Sequence, residues 1–212
     1  MKVTIIYDNE TCKEPLKADW GFSCLVEAYG RTILFDTGAK GSLLLDNMKA
    51  LRIDPHGVDE VFISHDHWDH VGGLSAFLKE NSNVTIYAPS TVRGIDHAHK
   101  VVRIDAPVKL HEHFYSTGLL DDVEQCLIVE TEKGLVIIVG CSHPGVDVIL
   151  DAAAQLGMPY AVIGGLHGFS EFELIGKLQL VCPTHCTQHI PEIQSRYPNK
   201  YVQGGGGKVI EI

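Results

Sequence analysis

The sequence carries its densest group of reactive side chains in the run Ser64-His65-Asp66-His67-Trp68-Asp69-His70. Side chains two residues apart in an extended chain point the same way, so His65 and His67 can bind one ion together. A tighter turn after them would carry Asp69 and His70 to a second position. Three imidazoles and two carboxylates within six residues are typical of a metal site, and the run therefore predicts one.

Four apolar runs with the composition of strands each end within a few residues of a histidine. The runs are Val61–Ile63, Leu135–Val139, Tyr160–Ile163 and Leu180–Val181, followed by His65, His143, His167 and His185. In α/β architectures, ligand sites gather beyond the carboxyl ends of strands, because those ends face one edge and their loops converge there. The four histidines are therefore predicted to lie at one shared edge.

Ten short runs rich in β-branched residues predict a large sheet content. They are Val3–Tyr7, Cys24–Ala28, Thr32–Phe35, Val61–Ile63, Val84–Tyr87, Leu127–Glu130, Leu135–Val139, Tyr160–Ile163, Leu180–Cys182 and Val209–Ile212. Helices are predicted at Leu43–Leu51, Gly73–Lys79, Val146–Leu156 and Glu171–Leu178. The stretch that contains His97 and His113 is interpreted as irregular. This order of elements predicts sheets packed together with helices outside.

Composition narrows the classes of partner. The chain of 212 residues has 17 basic and 27 acidic side chains, a formal net charge of −10, which argues against a nucleic-acid partner. No linker divides the chain, so residues 1–212 are expected to form one domain. We find no run long enough to span a membrane and no export signal, and the six cysteines are therefore expected to be reduced thiols in the cytoplasm.

The motifs together resemble the metallo-β-lactamase fold superfamily. The resemblance is carried by His65-x-His67-x-Asp69-His70 and by Leu34-Phe35-Asp36-Thr37-Gly38. Three further motifs resemble the branch that contains the dihydropterin and ribofuranosylaminobenzene-phosphate synthase of methanopterin biosynthesis, and related metal-dependent hydrolases. They are Gly140-Cys141-Ser142-His143-Pro144-Gly145, Gly164-Gly165-Leu166-His167 and Pro183-Thr184-His185-Cys186-Thr187.

This resemblance implies a four-layer αββα sandwich with the site at one edge of two sheets. It implies that His65, His67 and His143 hold a first metal ion. A second ion would then be held by Asp69, His70 and His185. Asp36 resembles a buried carboxylate that orients the histidine loop without binding the metal.

Two features of the motifs stay open. Relatives with two ions usually carry a bridging Asp after Gly where this chain has Gly140-Cys141. Cys141 is either a thiolate ligand or a small inert residue, and the second interpretation is favoured because buried free cysteine commonly behaves as a small hydrophobe. Cys182 and Cys186 are interpreted as packing residues, and Glu124 is a candidate for substrate or supporting contact.

The expected function is that of a metal-dependent hydrolase of a small-molecule substrate, phosphorylated or pterin-like, that uses water activated by zinc or another divalent ion. Asp69 would orient the nucleophile and His167 would protonate the leaving group. One or two ions would bind, and iron or manganese suits the same donors. A transferase joining a dihydropterin pyrophosphate to an aminobenzene ribonucleotide is an alternative, with Arg93, Lys100 and Arg103 available for phosphate. A non-catalytic metal-dependent sensor of small molecules is another.

Overall fold

A computed structural model describes all residues from 1 to 212, and it confirms the ten predicted strands. With three more, the strands are β1 Lys2–Tyr7, β2 Ser23–Ala28, β3 Arg31–Phe35, β4 Glu60–Phe62, β5 Thr85–Ala88, β6 Lys100–Arg103, β7 Val108–His111, β8 Phe114–Ser116, β9 Leu127–Thr131, β10 Gly134–Val139, β11 Pro159–Gly165, β12 Leu180–Thr184 and β13 Val209–Glu211. The α-helices are α1 Gly41–Ala50, α2 Trp68–Val71, α3 Leu74–Glu80, α4 Val146–Ala154 and α5 Ile190–Arg196. Short 3₁₀ helices cover Pro55–Gly57 and Phe172–Lys177.

The strands form two mixed sheets. The first has the order β13-β1-β2-β3-β4-β5-β6 and the second the order β12-β11-β10-β9-β8-β7. Strands β3 to β6 run parallel to one another, and so do β10 to β12. Each sheet thus presents a group of carboxyl strand ends at one edge, which is where loops of an α/β sheet can build a site.

Alternation along the strands separates three apolar cores. In β10, Val136 and Ile138 pack into the core between the sheets, while Leu135, Ile137 and Val139 face the outer layer formed with α4. The opposite outer core joins the first sheet to α1 and α3. Side chains of a strand point alternately to its two faces, so a strand buried on both faces reads as a continuous apolar run. The layers are therefore helix, sheet, sheet, helix, and the predicted αββα sandwich is confirmed.

Two predictions of local structure were wrong. The stretch interpreted as irregular contains β6, β7 and β8, of which β6 and β7 are edge strands with half-exposed or exposed side chains. Each of these two strands has only four residues, two of them apolar, so the apolar signal is too short to predict a strand. The helix predicted at Glu171–Leu178 is a 3₁₀ helix over Phe172–Lys177. No helix of the structure is long and apolar enough to cross a membrane.

Candidate metal centre

The loop after β4 and the loop after β10 bring three histidines together. The donor atoms of His65, His67 and His143 all lie within 4.8 Å of one another. The ring centroid of His65 is 4.5 Å from that of His67 and 4.9 Å from that of His143. His65 is buried, His143 is half-buried and His67 is exposed, so this group opens to solvent on one side. These are the residues expected from the resemblance to hold the first ion.

A second donor group lies directly beside the first. It consists of Asp69 and His70, carried by α2, and His185, which follows β12, with all donor atoms within 4.8 Å. The Nε2 atom of His185 is 3.2 Å from Oδ2 of Asp69. All three residues are buried, and they are the residues expected to hold the second ion.

Asp36 lies behind both groups and fixes the orientation of two rings. Its Oδ2 atom is 2.7 Å from Nδ1 of His70 and accepts a 2.7 Å hydrogen bond from the Ser64 hydroxyl. The Ser64 hydroxyl oxygen is in turn 2.8 Å from Nδ1 of His65. Because the carboxylate can only accept, the protons of both rings belong on Nδ1, which leaves each Nε2 with a lone pair directed into the site. Asp36 thus contacts the His70 ring and the Ser64 hydroxyl that supports His65, and its role toward a metal stays a prediction.

Asn9 performs the same task for His185, although it comes from the loop after β1. Its Oδ1 atom is 3.0 Å from Nδ1 of His185, and its side-chain nitrogen donates to the His185 carbonyl at 2.9 Å. The Nε2 atoms of His65, His143 and His185 are buried without a hydrogen-bond partner. Buried polar atoms are nearly always paired, so the unpaired nitrogens of His65 and His143 in the first donor group, and of His185 in the second, fit divalent ions.

The electrostatic environment favours the neutral, metal-binding form of His65 and His143. Burial, reinforced by the neighbouring histidines, lowers the pKa of His65 well below its ordinary value, and burial lowers the pKa of His143 to about 4. Burial acts to raise the pKa of Asp69, but the close approach of the His185 ring and the charge of His70 hold that pKa well below its usual range. At His70, burial acts to lower the pKa, but the Asp36 carboxylate outweighs it and raises the pKa. His65 and His143 therefore offer neutral imidazoles beside an ionised Asp69.

Glu124 shapes the loop that carries His143. Its fully buried carboxylate accepts hydrogen bonds from the backbone amides of Gly140, Cys141, Ser142 and His143, at 2.8 to 3.3 Å. Burial raises the pKa of Glu124, while these amides act in the opposite direction. Glu124 therefore fixes the backbone of this loop through hydrogen bonds to its amides. In the sequence, only its position before a central strand indicated a role.

Two cysteine thiols lie among the donor atoms. Sγ of Cys141 is 3.2 Å from Nε2 of His70, and Cys141, His185 and Cys186 form a further group with donor atoms within 4.8 Å. Sγ of Cys186 lies 3.8 Å from the Cys141 carbonyl oxygen, and the interaction of the two thiols lowers the pKa of Cys186 and raises that of Cys141. Cys141 was favoured as an inert small residue and Cys186 as a packing residue, but both side chains line the donor cluster. The position of Cys186 directly after a strand-end histidine was the available signal.

His167 lies beside the cluster without belonging to any donor group. Its ring centroid is 5.2 Å from that of His143, and its side chain is exposed. The backbone of His167 adopts φ 46°, a left-handed conformation that ordinary residues seldom occupy and that is often found at functional positions. It is therefore near the site and open to solvent.

The loop between β1 and β2 supplies contacts that the sequence did not indicate. The Trp20 indole donates a 2.8 Å hydrogen bond to Oδ2 of Asp69, and the ring stands edge-on to His185 with centroids 5.1 Å apart. Asp8 accepts the backbone amide of His185 at 2.8 Å, and burial raises the pKa of Asp8 to about 6. Asp8, Asn9 and Trp20 thus hold His185 and Asp69 from the rim of the cleft.

The basic residues expected to bind phosphate lie on β6 and on the segment before it, with Lys100 and Arg103 at the two ends of β6. Arg93 lines a groove of about 700 Å³ beside α2 and α3 that also contains Val71 and His97. Arg103 donates to the carbonyls of Pro89 and Val92 at 3.1 and 2.6 Å, which fixes the loop before β6.

Comparison with known proteins identifies the class. The metallo-beta-lactamase superfamily matches residues 21–189, and the chain belongs to that superfamily. It is 26% identical, over 99% of this chain and 95% of the relative, to the 7,8-dihydropterin-6-methyl-4-(beta-D-ribofuranosyl)-aminobenzene-5'-phosphate synthase of Methanocaldococcus jannaschii.

Solved structures share the fold. Tm1679, described as a metal-dependent hydrolase of the beta-lactamase superfamily, superposes with a TM-score of 0.83 at 24% identity and covers 100% of this chain and 99% of its own. A diphosphatase from the PhnP family superposes with a TM-score of 0.70 at 12% identity, covering 100% and 97%. At these identities the likeness concerns the fold.

Proposed function

We propose that the protein is a metal-dependent hydrolase of a small-molecule substrate. His65, His67 and His143 would hold a first divalent ion, and Asp69, His70 and His185 a second. The observation that carries this proposal is that the Nε2 atoms of His65, His143 and His185 are buried and unpaired. In His65 and His185 the other ring nitrogen, Nδ1, already has a hydrogen-bond partner. Zinc is the proposed ion because imidazole-rich sites with one carboxylate suit it.

When bound, such an ion supplies a water whose pKa is lowered towards neutrality and a positive charge for a developing oxyanion. The protein's own residues do the remaining work. The Asp69 carboxylate, held by the Trp20 indole at 2.8 Å, would orient the attacking water. The exposed imidazole of His167 would hold a proton for the leaving group, since proton transfer by a positioned side chain contributes about 10² to 10⁴ in rate.

The substrate is proposed to be phosphorylated or pterin-like. Support comes from the full-length likeness to the archaeal aminobenzene-phosphate synthase. Two exposed tryptophans adjoin Asp69: Trp20 is hydrogen-bonded to it, and Trp68 precedes it in the sequence. Planar rings stack on such exposed aromatic surfaces. We place the protein in the cytoplasm on the basis of its six free thiols.

The same relative favours a second candidate, a transferase that joins a dihydropterin pyrophosphate to an aminobenzene ribonucleotide. Its phosphate groups would need cations, and the engagement of Arg103 by the carbonyls of Pro89 and Val92 weakens it. The third candidate, a metal-dependent sensor, would bind its ligand without turnover.

The test is a substrate panel with zinc-loaded protein, covering phosphomonoesters, phosphodiesters, esters, thioesters and lactams. Reactions run in ¹⁸O-labelled water distinguish the candidates, because hydrolysis places the label in the product and transfer to an amine does not. His67→Ala is the inactive control. Turnover with label supports the hydrolase, and pyrophosphate release that requires an added arylamine supports the transferase. A metal-replete protein inert in both assays would refute both enzymes.

A further inference from the structure

Cys141 and Cys186 lie on opposite sides of one strand end. The strand order β12-β11-β10 puts Cys141, after β10, and Cys186, after β12, on either side of the end of β11. Gly165 ends β11 between them, and a Cβ there would lie 2.7 Å from Sγ of Cys186 and 3.3 Å from Cα of Cys141. The missing side chain at residue 165 leaves the space in which the thiols approach each other.

Both thiols point into the donor cluster. Cys141 forms one group with His65 and His70 and another with His185 and Cys186, each with donor atoms within 4.8 Å. Cys141 therefore reaches a residue of the first proposed set, His65, and two of the second, His70 and His185. It stands where a donor shared by two ions would stand, whereas Cys186 reaches only the side of His185.

We propose that Cys141, His185 and Cys186 form a thiolate–imidazole–thiolate site that makes the second metal position selective for a thiophilic divalent ion such as zinc or cadmium. This rests on the proposed metal-dependent function and adds two sulfur ligands to its site. Binding converts two thiols to thiolates and releases two protons to solvent, with no change of oxidation state. His185 is shared with the oxygen and nitrogen group of Asp69 and His70, so the preference of the ion decides which group it engages.

The dimensions suit such an ion. Tetrahedral zinc with Zn–S of about 2.3 Å and Zn–N of about 2.0 Å separates its ligand atoms by about 3.5 to 3.8 Å. The largest separation in this group, at most 4.8 Å, closes to that value with a shift of about 1 Å. Both cysteines are nearly buried, at 4% and 8% exposure, so the thiolates would be shielded from water.

Zinc-edge X-ray absorption on the full-length protein loaded with zinc tests the proposal without a variant. We expect sulfur scatterers at about 2.3 Å beside nitrogen scatterers at about 2.0 Å. The double variant Cys141→Ala/Cys186→Ala should lose the sulfur shell, and the zinc that it keeps should show nitrogen and oxygen scatterers alone. The control is Cys182→Ala, a substitution at a fully buried cysteine within β12, and it should keep the wild-type spectrum.

The outcomes separate this proposal from the proposed function. Zinc bound in the wild type through nitrogen and oxygen alone would overturn the sulfur site and leave the hydrolase standing. A Cys141–Cys186 disulfide would overturn it also, if mass spectrometry finds one in protein that was purified with a reductant and then loaded with zinc. A protein that binds no zinc would overturn both. Should the double variant fail to fold, the wild-type spectrum alone decides.

Discussion

Asp36 and His70 are joined by a fully buried 2.7 Å contact between Oδ2 and Nδ1. The carboxylate fixes the proton on Nδ1, so that Nε2 of His70 faces the donor cluster with a lone pair. The same Oδ2 atom accepts from Ser64, and through that hydroxyl it also orients His65. One carboxylate therefore sets the direction of a donor in each of the two proposed ion positions.

Replacing Asp36 by Asn should weaken metal binding without abolishing it. An amide presents a donor where His70 or Ser64 now finds an acceptor, so the two rings lose their fixed tautomers. Partners of this kind typically tune metal affinity by about 10- to 100-fold. Zinc titration against a chelator of known affinity, with circular dichroism to verify the fold, measures the effect. Unchanged affinity in Asp36→Asn would show that the contact has no role in the site.

His167→Ala should separate catalysis from metal binding. The His167 side chain belongs to no donor group, so metal content and melting temperature should match those of the wild type. Loss of a positioned proton donor should reduce turnover by about 10² to 10⁴ once a substrate is known. Metal analysis, thermal melting and steady-state kinetics on one preparation give the three readouts. If the variant loses metal, His167 is a ligand, and if turnover is unchanged, its ring only caps a strand.

Tyr87 should give the stability of the fold a measurable pH dependence away from the metal site. Burial, together with the charge of Glu60, raises the pKa of Tyr87 to about 12. Between the ordinary value near 10 and this value, the folded chain holds a proton that the unfolded chain has lost. The stabilisation is complete below about pH 10 and is lost as the pH rises towards 12. Urea unfolding of wild type and Tyr87→Phe across this range should show a smaller decline in the variant. Parallel declines would contradict the assignment.

Much of the donor cluster could be predicted from local spacing and strand ends. His65, His67, Asp69 and His70 lie in one short motif, and His143 and His185 follow apolar runs whose ends converge in any sheet with parallel strands. The structure brings these six residues together in the two groups that the resemblance implied. Their roles as metal ligands remain a prediction.

The supporting contacts could not be predicted, because they depend on how distant segments dock. The contact from Asn9 to His185 spans 176 residues, and that from Trp20 to Asp69 spans 49, so no sequence period connects either pair. The sequence favours a packing role for Cys186, because nothing in it shows that β10 and β12 flank β11 and so bring the Cys186 thiol to Cys141. The edge strand β6 was missed because only Val101 and Val102 in it are apolar, which is too short a run to predict a strand.

The metal content of His67→Ala and His185→Ala tests the central claim most directly. His67 belongs only to the group of His65 and His143, and His185 only to groups at the second position. After zinc loading and dialysis, elemental analysis should find about two ions per wild-type chain. Loss of His185 should empty mainly the second position, which we expect to be the weaker, and loss of His67 should deplete the first. Equal zinc in both variants and the wild type, or no retained zinc in the wild type, would contradict the account.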